Sequence, residues 1–137
     1  MIIDSSAVLA ILRNEPEAAQ CAKLIEAAEI RRISAANFLE TAIVIDGSRD
    51  PIASRRFDDL IRAADVHIEP VTEQQARIAR EAYRDFGKGS RHRAQLNFGD
   101  CFAYALAKAA GESLLFKGRD FTHTDIAPAH SPATRSR

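Results

Sequence analysis

Four acidic residues stand beside structural breaks in this chain: Asp4 in MIIDSSAVLAIL, Glu40 in SAANFLETAIVI, Asp100 in LNFGDCFAYALAK and Asp120 in LLFKGRDF. Asp4 and Asp120 follow short apolar runs of the kind that form strands. Glu40 and Asp100 lie in helical patterns rich in small side chains. No cysteine or histidine falls at a metal-ligand spacing beside them. A donor set made only of carboxylate oxygens suits a hard divalent ion, Mg²⁺ or Mn²⁺, rather than zinc. The chemistry it supports is metal-assisted hydrolysis of a phosphate ester.

Each acid taken singly has an ordinary explanation. Asp4 precedes Ser5 and Ser6 at a helix start, where an acid caps orphan amides. Glu40 has Ala36, Ile43 and Val44 as helix neighbours, so it either finds a polar partner or reaches past an apolar stripe to water. Asp100 comes three residues after Asn97, the spacing of a capping box. Asp120, in Gly118-Arg119-Asp120, is a common turn acid. The case for chemistry is their convergence. Ala103, Tyr104 and Ala107 share the face of Asp100, and the small ones let that helix approach the strand ends closely. Four carboxylates gathered there raise one another's pKa values unless a cation compensates.

What must position these acids is an alternation of short apolar strands with helices. Strands are expected at residues 1–3, 30–34, 66–71 and 114–116, with a fifth beginning at 125–126. Helices are expected over 7–13 behind a Ser5 or Ser6 cap, over 16–28 from Pro16, and over 36–46 and 51–64. Thr72 and Gln75 open another that ends near Phe86. Asn97 opens the last, which Gly111 closes. This order implies an α/β sandwich with a mainly parallel sheet, whose ligand crevice opens at the carboxyl ends of the strands.

The 137 residues suit one domain over 1–127, followed by a loosely ordered, flexible tail over 128–137 that is rich in Ser, Pro, Ala and Arg. Lys plus Arg and Asp plus Glu number 19 each, for a formal net charge of zero. That argues against a binder working by phosphate neutralisation alone. Cys21 and Cys101 both fall in helical patterns and read as buried thiols. Tyr83 and Tyr104 read as packing residues. No apolar run reaches membrane-spanning length, and MIIDSS lacks the features of a secretory signal, so a cytoplasmic location is expected.

Taken in order, IDSSAVLAIL, SAANFLETA, LNFGDCFAYALAK and LLFKGRDFTHTDI resemble the PIN-domain ribonucleases, and closely the VapC-like toxins of bacterial toxin–antitoxin pairs. The third segment is the most specific, and the likeness spans nearly the whole chain. The resemblance implies a PIN-like three-layer α/β/α sandwich and a metal-dependent endoribonuclease toxin neutralised by a VapB-like antitoxin. Residue by residue, Asp4, Glu40 and Asp100 match the family's principal acids, and Ser6 matches the polar residue that supports the first. Asp120 matches the more variable fourth acid, with Asp125 a nearby competitor. RNA as substrate, Mg²⁺ or Mn²⁺ as cofactor and a homodimer are implied as well. For the homodimer, helices at 7–12 and 36–45 have apolar faces to spare. Where close relatives often read His-Pro-Ala ahead of the third segment, this chain has His92-Arg93-Ala94, so no substrate preference carries over.

An RNA substrate also needs cations. Lys88, Arg91 and Arg93 form a local basic run, and Lys117 and Arg119 flank Asp120. They are candidate RNA-binding residues that guide phosphates, the plainer reading being a solvated loop. Two other functions stay open. A receiver-like signalling domain would also bind Mg²⁺ at strand ends with a lysine after a late strand, as Lys117 is placed. Against it, Asp4 has no acidic neighbour, and the third strand offers Glu69 where a phospho-acceptor Asp belongs. The other is a catalytically inactive PIN fold acting as a binding module, and the retention of all four acids speaks against it.

Overall fold

A computed structural model describes residues 1–129; His130 and the rest of the expected tail, 130–137, lie outside the described residues. Four short strands form one sheet: β1 (Ile2–Ile3), β2 (Arg31–Ser34), β3 (Val66–Glu69) and β4 (Leu114–Leu115). Every pairing is parallel, in the order β3-β2-β1-β4. The helices are α1 (Ser5–Leu12), α2 (Ala18–Ala27), α3 (Ala35–Gly47), α4 (Pro51–Ala63), α5 (Glu73–Phe86) and α6 (Phe98–Ala110), with a 3₁₀ turn over Asp120–His123.

Successive side chains of a strand point to opposite faces, and this chain uses both. Ile2 and Leu114 pack with Ala79, Ala103 and Ala107 of the α5–α6 layer. Ile3, Ile33 and Leu115 pack with Val8, Ile25, Ile45 and Phe57 of the layer built by α1 to α4. The result is the expected three-layer α/β/α sandwich. Strands covered on both faces read as plain apolar runs rather than alternating ones, as these do.

Local chemistry explains the element ends. Asp4, not a serine, caps α1, because β1 ends at Ile3 and Asp4 is the last extended residue before the helix. Asn97 and Asp100 exchange reciprocal bonds at the start of α6, and Gly111 closes that helix at φ 64, a left-handed conformation that glycine adopts without strain. β3 ends at Glu69 rather than at residue 71, since Pro70 has no N–H for the ladder. The fifth strand expected at 125–126 is not formed. Asp125 is held there by side chains, and the chain meets β4 only afterwards. Leu114 N–H donates to Ala127 O at 2.9 Å and Ala129 N–H to Leu114 O at 2.9 Å, so Pro128 and Ala129 lie along the sheet edge.

The two helices expected to have apolar surface to spare differ. Ala7, Val8 and Ala10 of α1 are buried in the core, whereas α3 leaves Leu39 and Ile43 58% and 62% exposed. Among the described residues, no helix is long and apolar enough to cross a membrane. From β1 the chain winds through β2 to β3, then returns to set β4 on the other side of β1. The crevice at such a reversal, beyond the strands' carboxyl ends, is where ligands bind in open α/β sheets.

Candidate active site

The reversal point is where the acids meet. β1 and β4 lie side by side, Ile3 level with Leu115, so Asp4 emerges beside the segment that leads to Asp120. Asp4 is buried, 4% exposed, and its Oδ2 accepts both the Ser6 amide at 3.0 Å and the Ser6 hydroxyl at 2.5 Å. The same Ser6 oxygen accepts the Lys117 amide at 3.0 Å. Ser6 thus ties the first acid to the chain leaving β4.

Glu40 and Asp100 come in from helices on opposite faces of the sheet. Asp100 sits in the first turn of α6, its Oδ2 accepting the Asn97 amide at 3.0 Å. Glu40 lies on α3, its Oε1 accepting the Ser5 hydroxyl at 2.6 Å and the Asn37 amide group at 3.3 Å. Its carboxylate rests on Gly99, where an added Cβ would stand 2.2 Å from Oε2. Asn37 is fully buried and also donates to Gly99 O at 3.0 Å. It joins α3 to α6 at the acids.

Charges respond to this crowding. Burial pushes the Asp4 carboxyl up to about 6 against the pull of the Ser6 bonds, and Glu40 adds repulsion. Burial also pushes Asp100 up to about 7. There the Asn97 bond opposes the rise, while the charges of Asp4, Asp120 and Glu40 reinforce it. Asp120, exposed at the start of the 3₁₀ turn, therefore acts on the group electrostatically.

Asp125 is occupied elsewhere. It accepts the Tyr104 hydroxyl at 2.6 Å and pairs with Lys108. Burial raises its carboxyl, but these two partners outweigh it and hold it below the ordinary range. The expected cations divide in the same way. Lys117 turns its ammonium to Glu15 at 2.7 Å, so its charge is already matched. Lys88, Arg91, Arg93 and Arg119 are exposed and make no ion pair among the described residues.

Three residues of the site escaped sequence reasoning: Ser5, Asn37 and Gly99. The signal that could have found Asn37 is a polar residue one helical turn before Glu40 on a face whose next turn is Thr41, a pattern costly to bury without a task. Gly99 inside a helix, where glycine costs about 1 kcal/mol relative to alanine, was a second.

Ser6 offers a direct check on the geometry. Ser6→Ala removes the hydroxyl from Asp4 and orphans the Lys117 amide. Turnover is expected to fall by about ten- to a hundredfold, the range for losing a partner that orients a ligand, and initial rates on RNA would read it. Unchanged rates would mean that Asp4 needs no such support.

The sequence profile of the PIN domain matches residues 1–127. Ribonuclease VapC28 of Mycobacterium tuberculosis is 56% identical over 126 residues, covering 92% of this chain and 95% of its own. In three dimensions the chain is similar to VapC20 of Mycobacterium tuberculosis, a sarcin-ricin loop cleaving toxin. The TM-score is 0.73 at 17% identity, covering 95% of this chain and 98% of that one. A toxin–antitoxin complex from Klebsiella pneumoniae matches with a TM-score of 0.63 at 17% identity over 88% of each chain. At that identity the two structures speak for the fold alone, while the profile and the 56% relative speak for descent. A receiver-like domain is thereby set aside, and the chain belongs to the PIN-domain family, within its VapC ribonuclease branch.

Proposed function

We propose that the protein is a divalent-metal-dependent endoribonuclease, the toxin of a VapBC-type pair. The observation that carries this reading is the set of hydrogen bonds that draws the acids' segments together: Ser6 binds Asp4 and the Lys117 amide, Ser5 binds Glu40, and Asn37 joins Glu40 to Gly99 beside Asp100. Gathering like charges is costly without a compensating cation.

Among the described residues, no three Asp, Glu, His or Cys side chains are spaced to hold an ion as the protein stands. Mg²⁺ keeps several of its waters and takes one or two carboxylates directly, so it does not require a closed cage of protein ligands. Asp4, Glu40 and Asp100, with Asp120 assisting, would hold the ion. When bound, the ion supplies positive charge at the scissile phosphate and lowers the pKa of water.

The chain's own residues do the rest. Ser6 fixes the rotamer of Asp4; Ser5 and Asn37 fix that of Glu40; the Asn97 amide anchors Asp100. The carboxylates do not attack phosphorus, and one of them takes the proton of the attacking water. Arg91, Arg93, Arg119 and Lys88, all exposed, would meet RNA phosphates. The products would carry a 3′-hydroxyl and a 5′-phosphate.

An antitoxin tail lying over the acids would silence the site, and an arginine on it would match their charge. On α3, Leu39, Ile43 and Val44 are exposed apolar side chains that a homodimer contact would cover. A protein that cuts RNA and pairs with an antitoxin would work in the cytoplasm. Purified protein with single-stranded RNA is expected to release 5′-phosphorylated ends with Mg²⁺ or Mn²⁺ present, and none after chelation. Cleavage that survives chelation would overturn the metal-dependent reading. Failure to take up Mn²⁺ in a titration would favour an inactive binding module instead.

A further inference from the structure

A groove of about 500 Å³ opens between α5 and α6. Phe98, Phe102 and Tyr83 line it together with Arg80, Lys88 and Asn97. Phe98 is 79% exposed and Tyr83 49%, and the rings of Phe98 and Phe102 meet edge-on with centroids 4.8 Å apart. A phenylalanine so open contributes little to the fold, and contiguous apolar surface of this kind marks an interaction site.

The charges around the groove say what kind. Along α5, Arg77 and Arg84 are paired with Glu73 and Asp85. Arg80 and Lys88, the two cations that line the groove, make no ion pair among the described residues. An apolar aromatic slot flanked by unmatched positive charge complements a planar base carried on a phosphate chain.

The slot also adjoins the acids. Asn97 is one of its lining residues and exchanges two hydrogen bonds with Asp100. Phe98 and Asp100 share the first turn of α6 on different sides. A helix is about 10–12 Å across with its side chains, so a strand crossing its N-terminus reaches both within a few nucleotides. Lys88 also opens the basic loop that runs on to Arg91 and Arg93.

Resting on the ribonuclease reading, we infer that this groove takes one unpaired nucleobase of the RNA strand, near the scissile phosphate. The base stacks on Phe98, and Arg80 and Lys88 meet the phosphates on either side of it. Stacking on a ring tolerates any base, so the groove selects unpaired strand over duplex rather than one sequence over another.

The test uses a short single-stranded RNA carrying 2-aminopurine, and the same strand with an abasic position in its place, with the divalent ion chelated so that neither is cut. Stacking one base on an aromatic side chain is worth about 5- to 150-fold in affinity. Phe98→Ala is expected to weaken the 2-aminopurine strand within that range and to abolish its fluorescence quenching. It should leave the abasic strand's affinity unchanged, while Phe98→Trp retains binding. Arg80→Ala is expected to lower the salt slope by about one. Equal affinity of wild type and Phe98→Ala for the labelled strand overturns the assignment. So does equal weakening of both strands together with dissociation of a dimer in sedimentation, which makes the groove a contact between chains. If the wild type binds RNA and cuts it when Mg²⁺ is restored, such a failure touches the groove alone. If the wild type neither binds nor cuts, the ribonuclease reading falls with it.

Discussion

Asp100→Asn is expected to abolish RNA cleavage and, in the absence of metal, to make the protein more stable at pH 8. The first effect follows from the proposed role of Asp100 in holding the ion. A loss of about a hundred- to a thousandfold is the scale set by deleting one charge-stabilising group from an active site. The second follows from electrostatics. Asp100 is pushed up to about 7 by burial and by Asp4, Asp120 and Glu40, and Asp4 up to about 6. Each carboxyl therefore holds its proton in the folded protein at pH values where the unfolded chain has released it. The folded state binds more protons across that window, so stability is greatest below the ordinary carboxylate range and falls as pH rises through about 6 to 7. The asparagine variant does not ionise at this position and escapes that share of the loss. Its amide oxygen still accepts the Asn97 amide, so the cap of α6 survives.

The expected gain at pH 8 is about 1 kcal/mol, kept small because solvent screens a partly exposed acid. It should shrink as pH falls and vanish at about pH 3, where the carboxyl is protonated in the folded and the unfolded chain alike. Saturating Mg²⁺ should reverse the order, since an ion that binds only the folded state stabilises it by mass action. Thermal melts of the two proteins at both pH values, with and without Mg²⁺, read all three expectations. A wild type that is more stable than Asp100→Asn at pH 8 without metal would show that the acids are not crowded.

The sandwich was legible because strands covered on both faces are plain apolar runs, and because helix ends carry chemistry that sequence exposes. Thr72, Asn97 and Gly111 mark their boundaries by side-chain type. Errors fell where local pattern met a tertiary partner. Asp125 and Ile126 look like a strand start, yet Tyr104 and Lys108, a helix away, hold Asp125 by its carboxylate. Tyr83 and Tyr104 have the same residue type and helical setting, but Tyr104 is buried against Phe86 while Tyr83 faces solvent. The helical period of α5 does not decide which way α6 will lie across it. Among the site residues, the acids were visible as isolated charges beside breaks, whereas Ser5 and Asn37 were not. Their significance lies in a contact between α1, α3 and α6, segments more than 30 residues apart.

Gly99→Ala probes that contact most sharply. A Cβ at position 99 would stand 2.2 Å from Glu40 Oε2 and 2.8 Å from its Cδ and Oε1, distances that no relaxed structure tolerates. The atoms in the way are the end of a flexible side chain, so Glu40 gives way and the helices do not. Swinging it aside breaks the Ser5 bond, which is worth about 1.5–3 kcal/mol for a charged acceptor. Replacing a helical glycine by alanine returns about 1 kcal/mol, so the melting temperature is expected to move by only a few degrees. Catalysis has no such compensation. Displacing a positioned carboxylate by an ångström costs on the order of a hundredfold in rate, and that is the expected drop in kcat with little change in KM. A second substitution separates this cause from general damage. In a Glu40→Gln background, already impaired, Gly99→Ala should add little further loss, because the two changes act through one carboxylate. Full additivity of the two losses, or a Gly99→Ala protein that cuts RNA at the wild-type rate, would mean that α6 does not need its bare first turn to receive Glu40.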